Sequence, residues 1–295
     1  MVDIPNVKRE ERIGSAFNDL FEIISMTGKH QEEGVEWNME GVRFLHPFFL
    51  APLAIYRQSS ERMIESVNMT PRMESYFETV HFEEPLTIGE ATEELEAYER
   101  RSYLPICRFD LHNYDEDGIQ GPLQRLILKQ SKASERLTTP LAFVLGELIC
   151  NMTQHSRGKY GYVYSQYLRR EGCINLVLAD DGITVLGSYV RSRKYLEEID
   201  GNDATALRLA CEGKSSKDRP LAESRGYGLS SSKRMLVEGF HGSFFMLSGG
   251  AFHRHNDTGS VYINLPESVY WEGTIILMKI PTEIPHDFDF YRYMQ

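Results

Sequence analysis

A chain of 295 residues and 34.0 kDa is long enough for about two domains. Its 41% hydrophobic and 25% charged residues exclude collagen-like and wholly disordered classes. The mean hydropathy is -0.38, and no apolar run approaches the roughly 18 residues of a membrane helix. Charges in the first 20 residues fall where a signal peptide needs its apolar centre, so a cytoplasmic protein with no membrane partner is expected. The net charge of -11 is unevenly distributed: residues 1–100 hold 9 Lys+Arg against 20 Asp+Glu, whereas residues 101–295 hold 23 of each. That asymmetry predicts two domains, 1–100 and 101–295, with different surfaces, and no nucleic-acid partner is expected without a basic face. Cys107, Cys150, Cys173 and Cys211 are far apart with no C-x-x-C pair, so they read as buried thiols.

In chain order, Ile13, Phe17, Leu20, Phe21 and Ile24 share one helical face, with Gly28 as a stop. A short strand from Val35, a tight connection at Glu40-Gly41 and a helix entering at Pro47 follow; proline suits a first turn because its missing N–H has no partner there. A strand near Ile64–Val67 and a helix through Met73–Phe77 complete an alternating α/β pattern, and the glutamate-rich stretch 90–100 reads as an exposed helix or linker. Beyond it, YLPICRFDL reads as a strand and Leu123 to Leu137 has helical spacing. Thr139 and Pro140 are suited to cap and begin a helix whose apolar stripe is Leu141, Val144, Leu145, Leu148, Ile149 and Met152. INLVLA, ending at Asp180-Asp181-Gly182, is the profile of a buried strand. Residues 183–225 are polar and poor in strand signal, which predicts a long mobile segment. A glycine loop then opens a helix at SRGYGLSSSKRMLVEGF, and FFMLSG, SVYINL and TIILMKI read as strands.

Glu147, Asn151 and His155 are spaced by four, so they line one helix edge beside the apolar stripe and can face one ligand. A carboxylate there can polarise a nucleophile, and an amide oxygen can complete the shell of a magnesium ion already held by phosphates. Three further features follow in order: a strand ending in Asp180-x-Gly182, the loop Gly226-x-Gly228-Leu229 opening a helix, and Gly273-Thr274 beginning an apolar strand. Glu212-Gly213-Lys214-Ser215 is no P-loop, because Arg208 stands where the first glycine is needed, and Ser231 replaces the third glycine of a dinucleotide fingerprint.

In their order and spacing these elements resemble the nucleotide-binding domain shared by DNA gyrase, Hsp90, histidine kinases and MutL, the GHKL or Bergerat-fold superfamily, over residues 103–281. The resemblance implies ATP and Mg2+ as cofactors, Asn151 as the metal ligand and Glu147 as the catalytic base or an orienting residue. His155 would close the asparagine motif. Asp180 would accept the adenine amino group, with Gly182 letting the ring approach and Thr274 helping to hold it. Gly226 and Gly228 would offer backbone N–H groups to the phosphates beside Leu229. Residues 183–225 would form an ATP lid, with Gly201, Gly213, Lys214, Lys217, Arg219 and Arg225 as its flexible or basic positions. The sequence departs from the family in having Thr184 where D-x-G-x-G has its second glycine, and no histidine of dimerisation-helix type precedes the domain.

EGVRFLHPFFLAPLAIYRQ and IESVNMTPRMESYFETVHF resemble the STAS domains of anti-sigma-factor antagonists over residues 13–88, with His46-Pro47 in place of the phosphorylatable Asp-Ser pair. The expected fold class is therefore two-layer α/β, a C-terminal GHKL ATP-binding sandwich after an N-terminal STAS-like α/β domain. The expected function is that of a regulatory protein whose nucleotide state controls a protein partner or homodimer. Slow ATP hydrolysis, serine phosphorylation of a partner and a non-catalytic ATP-gated module are its three forms.

Overall fold

The computed structural model describes residues 1–6, 13–30, 34–60, 62–89, 92–114, 116–216 and 227–294. The protein is mixed α/β. Its N-terminal part holds a parallel three-stranded sheet in the order β1 (Val2–Asp3), β2 (Gly34–Asn38), β3 (Met63–Val67), with α1 (Ile13–Lys29), α2 (Pro47–Ser59) and α3 (Pro71–Val80). The helix α2 is apolar all round, as expected of a helix with no solvent face. Residues Pro47 to Ile55 are buried between α1 and a second, larger sheet. His46 caps this helix: its Nδ1 accepts the Phe48 N–H at 3.1 Å. The position that is Asp-Ser in the resembled domains is thus occupied by a capping group.

The second sheet has eight strands in the order β10 (Gly259–Asn264), β9 (Ala251–Asn256), β8 (Ser243–Gly249), β11 (Trp271–Pro281), β7 (Cys173–Asp180), β6 (Tyr160–Leu168), β5 (Cys107–Asp110), β4 (Leu86–Thr87). All its pairings are antiparallel except the edge pair β4 and β5. Both faces are covered, which is why INLVLA shows no alternation. Ile174, Leu176 and Leu178 point to a layer containing α5 (Glu116–Ser131), α6 (Thr138–Asn151) and α10 (Tyr227–Arg234), whereas Val177 and Ala179 point to α2.

Several expectations need correction. The larger sheet begins at Leu86, ahead of residue 100, and the stretch expected as an exposed helix or linker holds the helix α4 (Thr92–Glu96) but is anchored. Leu95 and Tyr98 enter the helix-side core, and the Tyr98 hydroxyl donates to the Thr79 carbonyl at 2.9 Å. Thr139 is inside α6; the helix enters through a 3-10 turn, Glu135–Leu137, and has no side-chain cap.

Residues 183–216 are not the expected mobile segment. They form α7 (Val185–Ser192), α8 (Leu196–Ile199) and α9 (Asp203–Cys211), which bury Tyr189, Ile199, Ala206 and Leu209 against one another. The polar residues between them serve as caps. Thr184 accepts the Gly187 N–H, Asn202 accepts the Thr205 N–H, each at 2.9 Å, and Arg193 and Asp200 close helices at positive φ. Lys214 is held by Glu198 at 2.8 Å. Lys217, Arg219, Arg225 and Gly226 lie outside the described residues. The C-terminal aromatics pack on their own chain, Phe288 against Phe240 and Phe290 against Phe143. No described helix is long and apolar enough to cross a membrane.

Candidate functional site

The stripe Leu141, Val144, Leu145, Leu148, Ile149 and Met152 is buried, which fixes the rotation of α6 and turns Glu147 and Asn151 toward a cavity of about 370 Å³. The helix continues as a π-helical turn, Met152–Ser156, carrying His155. Such turns recur at functional sites because the extra residue per turn re-aims a side chain. His155 Nδ1 lies 2.9 Å from the Ser216 hydroxyl, which in turn is 2.8 Å from the Ser188 hydroxyl. One wall of the cavity therefore links the π turn, α7 and the segment after α9.

The floor comes from three neighbouring strands in register. Leu178, Ile276 and Met246 form an apolar row on β7, β11 and β8; two residues further on, Asp180, Thr274 and Ser248 form a polar row on the same face. The Asp180 carboxyl is buried, and this raises its pKa to about 8; N–H donation from Gly182 and Thr274 opposes the shift, while neighbouring Asp181 adds to it. Gly182 N donates to Asp180 Oδ1 at 3.0 Å. Gly273, at φ +74, sits where β11 loses register with β8, and a Cβ there would lie 2.2 Å from the Asp180 carbonyl oxygen. Both flanking glycines are therefore dictated by close backbone approach.

The opposite end is the start of α10. Gly228 lies so close to Glu147 that a Cβ would fall 1.8 Å from its Oε2. A carboxylate thus rests at a helix N-terminus, the place where dipole and free N–H groups favour an anion. From Glu147 at this end to Ser156 at the Gly182 turn is about 13 Å at 1.5 Å per helical residue, room for an elongated ligand.

Of the residues singled out in the sequence, Glu147, Asn151, His155, Asp180, Gly228, Leu229 and Thr274 line this one cavity. Gly182 stands behind it, packed on Ser156, and Gly226 lies outside the described residues. Thr184 needs no glycine's freedom: at φ -67 it caps α7, and both it and that helix line the cavity. Cys150, read as a buried thiol, is partly exposed in the cavity wall, while the other three cysteines are buried.

Ser248, buried behind the cavity lining, is a support that no motif signalled. Its hydroxyl donates to the Gly273 carbonyl at 2.6 Å, accepts the Val185 N–H at 3.0 Å and lies 3.3 Å from the Thr274 hydroxyl. Only the strand register reveals it, as the residue opposite Thr274. Ser248→Ala is expected to cost about 2 kcal/mol, since a buried donor and carbonyl lose their partner. Urea unfolding measures this, and a cost below about 0.5 kcal/mol would show that the hub is dispensable.

Among the described residues no three His, Cys, Asp or Glu side chains gather as a metal cage. A magnesium ion held near Asn151 would thus take most of its oxygen ligands from a phosphate chain. No protein family, curated protein or solved structure matches the chain.

Proposed function

We propose that the chain is a regulatory protein of GHKL type that binds Mg-ATP in this cavity, and that nucleotide state controls how it engages a protein partner or a second copy of itself. One observation carries the reading. An apolar row with a polar edge, Asp180 and Thr274, occupies one end, an anion-favouring helix start occupies the other, and the Asn151 amide lies on the helix between them. The first suits a heteroaromatic ring with an amino donor, the second suits phosphates, and the third suits a cation shared with them.

In this reading Asp180 accepts from the base and Thr274 supports it, while the backbone at Gly228 and Leu229 faces phosphate oxygens. Asn151 supplies one oxygen to the cation. Glu147 is the group able to take a proton from an attacking water. Its contact with Gly228 favours a second reading, a non-catalytic ATP-gated module, because a carboxylate resting at the helix start competes with phosphate and is drawn away from water. His46, buried as the cap of α2, is no phosphoacceptor in this chain.

Calorimetric titration tests the proposal. ATP is expected to bind saturably and more tightly with magnesium, and Asn151→Ala to remove most of the magnesium dependence while leaving ADP binding without metal within about threefold. Folded protein that binds neither nucleotide would overturn it. Glu147→Gln then separates the two readings. If the carboxylate acts on water, the variant retains ATP and loses phosphate release, since a base acts on the reaction and not on ground-state affinity. Equal turnover in both proteins leaves the binding module.

A further inference from the structure

The face of the large sheet opposite the candidate nucleotide cavity carries a second feature. On that face Arg254, Phe245, Leu277, Val177 and Tyr164 form one row across five strands, and α2 packs against the strands beneath it. Two residues further along, every strand turns polar at once: Ser243, Lys279, Asn175 and Gln166 stand side by side. Packing against an apolar helix does not explain this row. It borders a groove of about 1640 Å³ between α1 and the sheet, larger than the 300–1,000 Å³ usual for compact ligands.

The groove is amphipathic. Phe17 and Phe21 of α1 meet Phe252 at 4.9 and 5.6 Å between ring centroids, and Phe17 meets Phe245 at 5.0 Å. Arg254 borders the groove, and the buried Nε of its guanidinium has no hydrogen-bond partner; Asn175, 1% exposed, lies behind the lining with its Oδ1 also unpartnered. The His46 ring has its Nδ1 taken as the helix cap, so in the neutral form its proton is on Nε2, and burial lowers its pKa to about 4. Four cations, Arg169, Arg170, Arg254 and Lys279, border the groove against two carboxylates, Glu22 and Glu171, in a chain of net charge -11. Lys279 is already paired with Glu171 at 2.6 Å, which leaves the arginines to meet an incoming charge.

We infer that this groove binds a long-chain carboxylate, an amphiphile whose head meets Arg254 and whose apolar body lies along Phe17, Phe21 and Phe252. Arg254, Arg169 and Arg170 border the groove beside the phenylalanine wall, an arrangement that matches a charged head on an apolar body. A planar guanidinium is the donor set that receives a carboxylate through two parallel hydrogen bonds. The apolar body is held by area burial and the head fixes its direction. The site is independent of the nucleotide reading.

Dodecanoate is the probe, titrated below its micelle concentration into the full chain and followed by calorimetry. Saturable one-to-one binding is expected, with dodecyltrimethylammonium at least tenfold weaker. Arg254→Gln should weaken dodecanoate at least tenfold with an unchanged thermal midpoint. Phe21→Glu, which places a like charge on the wall, should do the same if the arginine variant folds poorly. Asn151→Ala should bind as the parent does. No saturable binding by folded protein, equal affinity for the cationic amphiphile, or parent-like binding by both groove variants overturns the inference. Binding of an acidic peptide with no response to dodecanoate also overturns it, and makes the groove a protein-docking face.

Discussion

Gly182→Ala is expected to destabilise the protein by about 3 kcal/mol, the upper end of what overpacking costs, because the new methyl has nowhere to go. A Cβ at Gly182 would lie 2.1 Å from the Ser156 carbonyl oxygen and 2.7 Å from the Gly158 nitrogen, both backbone atoms. The Ser156 carbonyl is itself tied down: it accepts the Ile183 N–H at 2.6 Å, while Ser156 Oγ donates to Met152 O at 2.7 Å and accepts from Gly158 N at 3.1 Å. Relieving the clash means separating the end of the π turn from the Asp180 turn, the junction that sets one end of the cavity. Gly28→Ala is the control, since a Cβ there meets nothing within 4 Å in the last turn of α1 and should be neutral or stabilising by about 0.5 kcal/mol. Urea unfolding of the three proteins measures the contrast. A Gly182 variant that loses less than about 1 kcal/mol would mean that the junction yields, and that Gly182 is present for a ligand's approach and not for the fold.

The same junction shows where sequence reasoning reached and where it stopped. Spacing within one element is readable: the stripe on α6, the proline entry of α2, the helix through Met73–Phe77 and the two-sided strand β7 all follow from local pattern. Glu147 and Asn151 are legible by their spacing of four on one helix edge, and Asp180, Gly228 and Thr274 by the order of strand end, glycine loop and strand start that follows. Several features needed partners distant in sequence. β6 reads YGYVYSQYL, with polar and aromatic residues mixed, and becomes a strand through pairing with β5 and β7. β9 carries His253 and His255, whose ring packing on Tyr262 at 4.0 Å for His253 is a cross-strand contact invisible in the linear chain. The helices α7 to α9 are short, and their capping Thr184 and Asn202 have the same composition as a loop, so in sequence the stretch has the look of a mobile segment. The short core of Tyr189, Ile199, Ala206 and Leu209 distinguishes the two, and it exists only once the segments meet.

The largest pH effect is expected at Asp180. Burial lifts its folded pKa to about 8, against about 3.9 for an unfolded aspartate. Between those values the folded state holds a proton that the unfolded state has lost. The stabilising contribution of this group is therefore fully present below about pH 4, falls by up to about 1.4 kcal/mol per pH unit, and is gone above about pH 8. Asp180→Asn, which does not titrate, should lack that slope, so the variant gains on the parent as pH rises from 5 to 8 in urea unfolding. Parallel curves would mean that the carboxyl is ionised in the fold throughout. Nucleotide binding should run the other way. An adenine amino group donates more strongly to a carboxylate than to a protonated acid, so ATP affinity of the parent should rise toward pH 8 by up to tenfold per unit, with a proton released on binding. The asparagine variant should bind weakly and without that rise. A parent whose stability falls with pH while its ATP affinity stays flat would keep the buried acid and remove adenine from its partners.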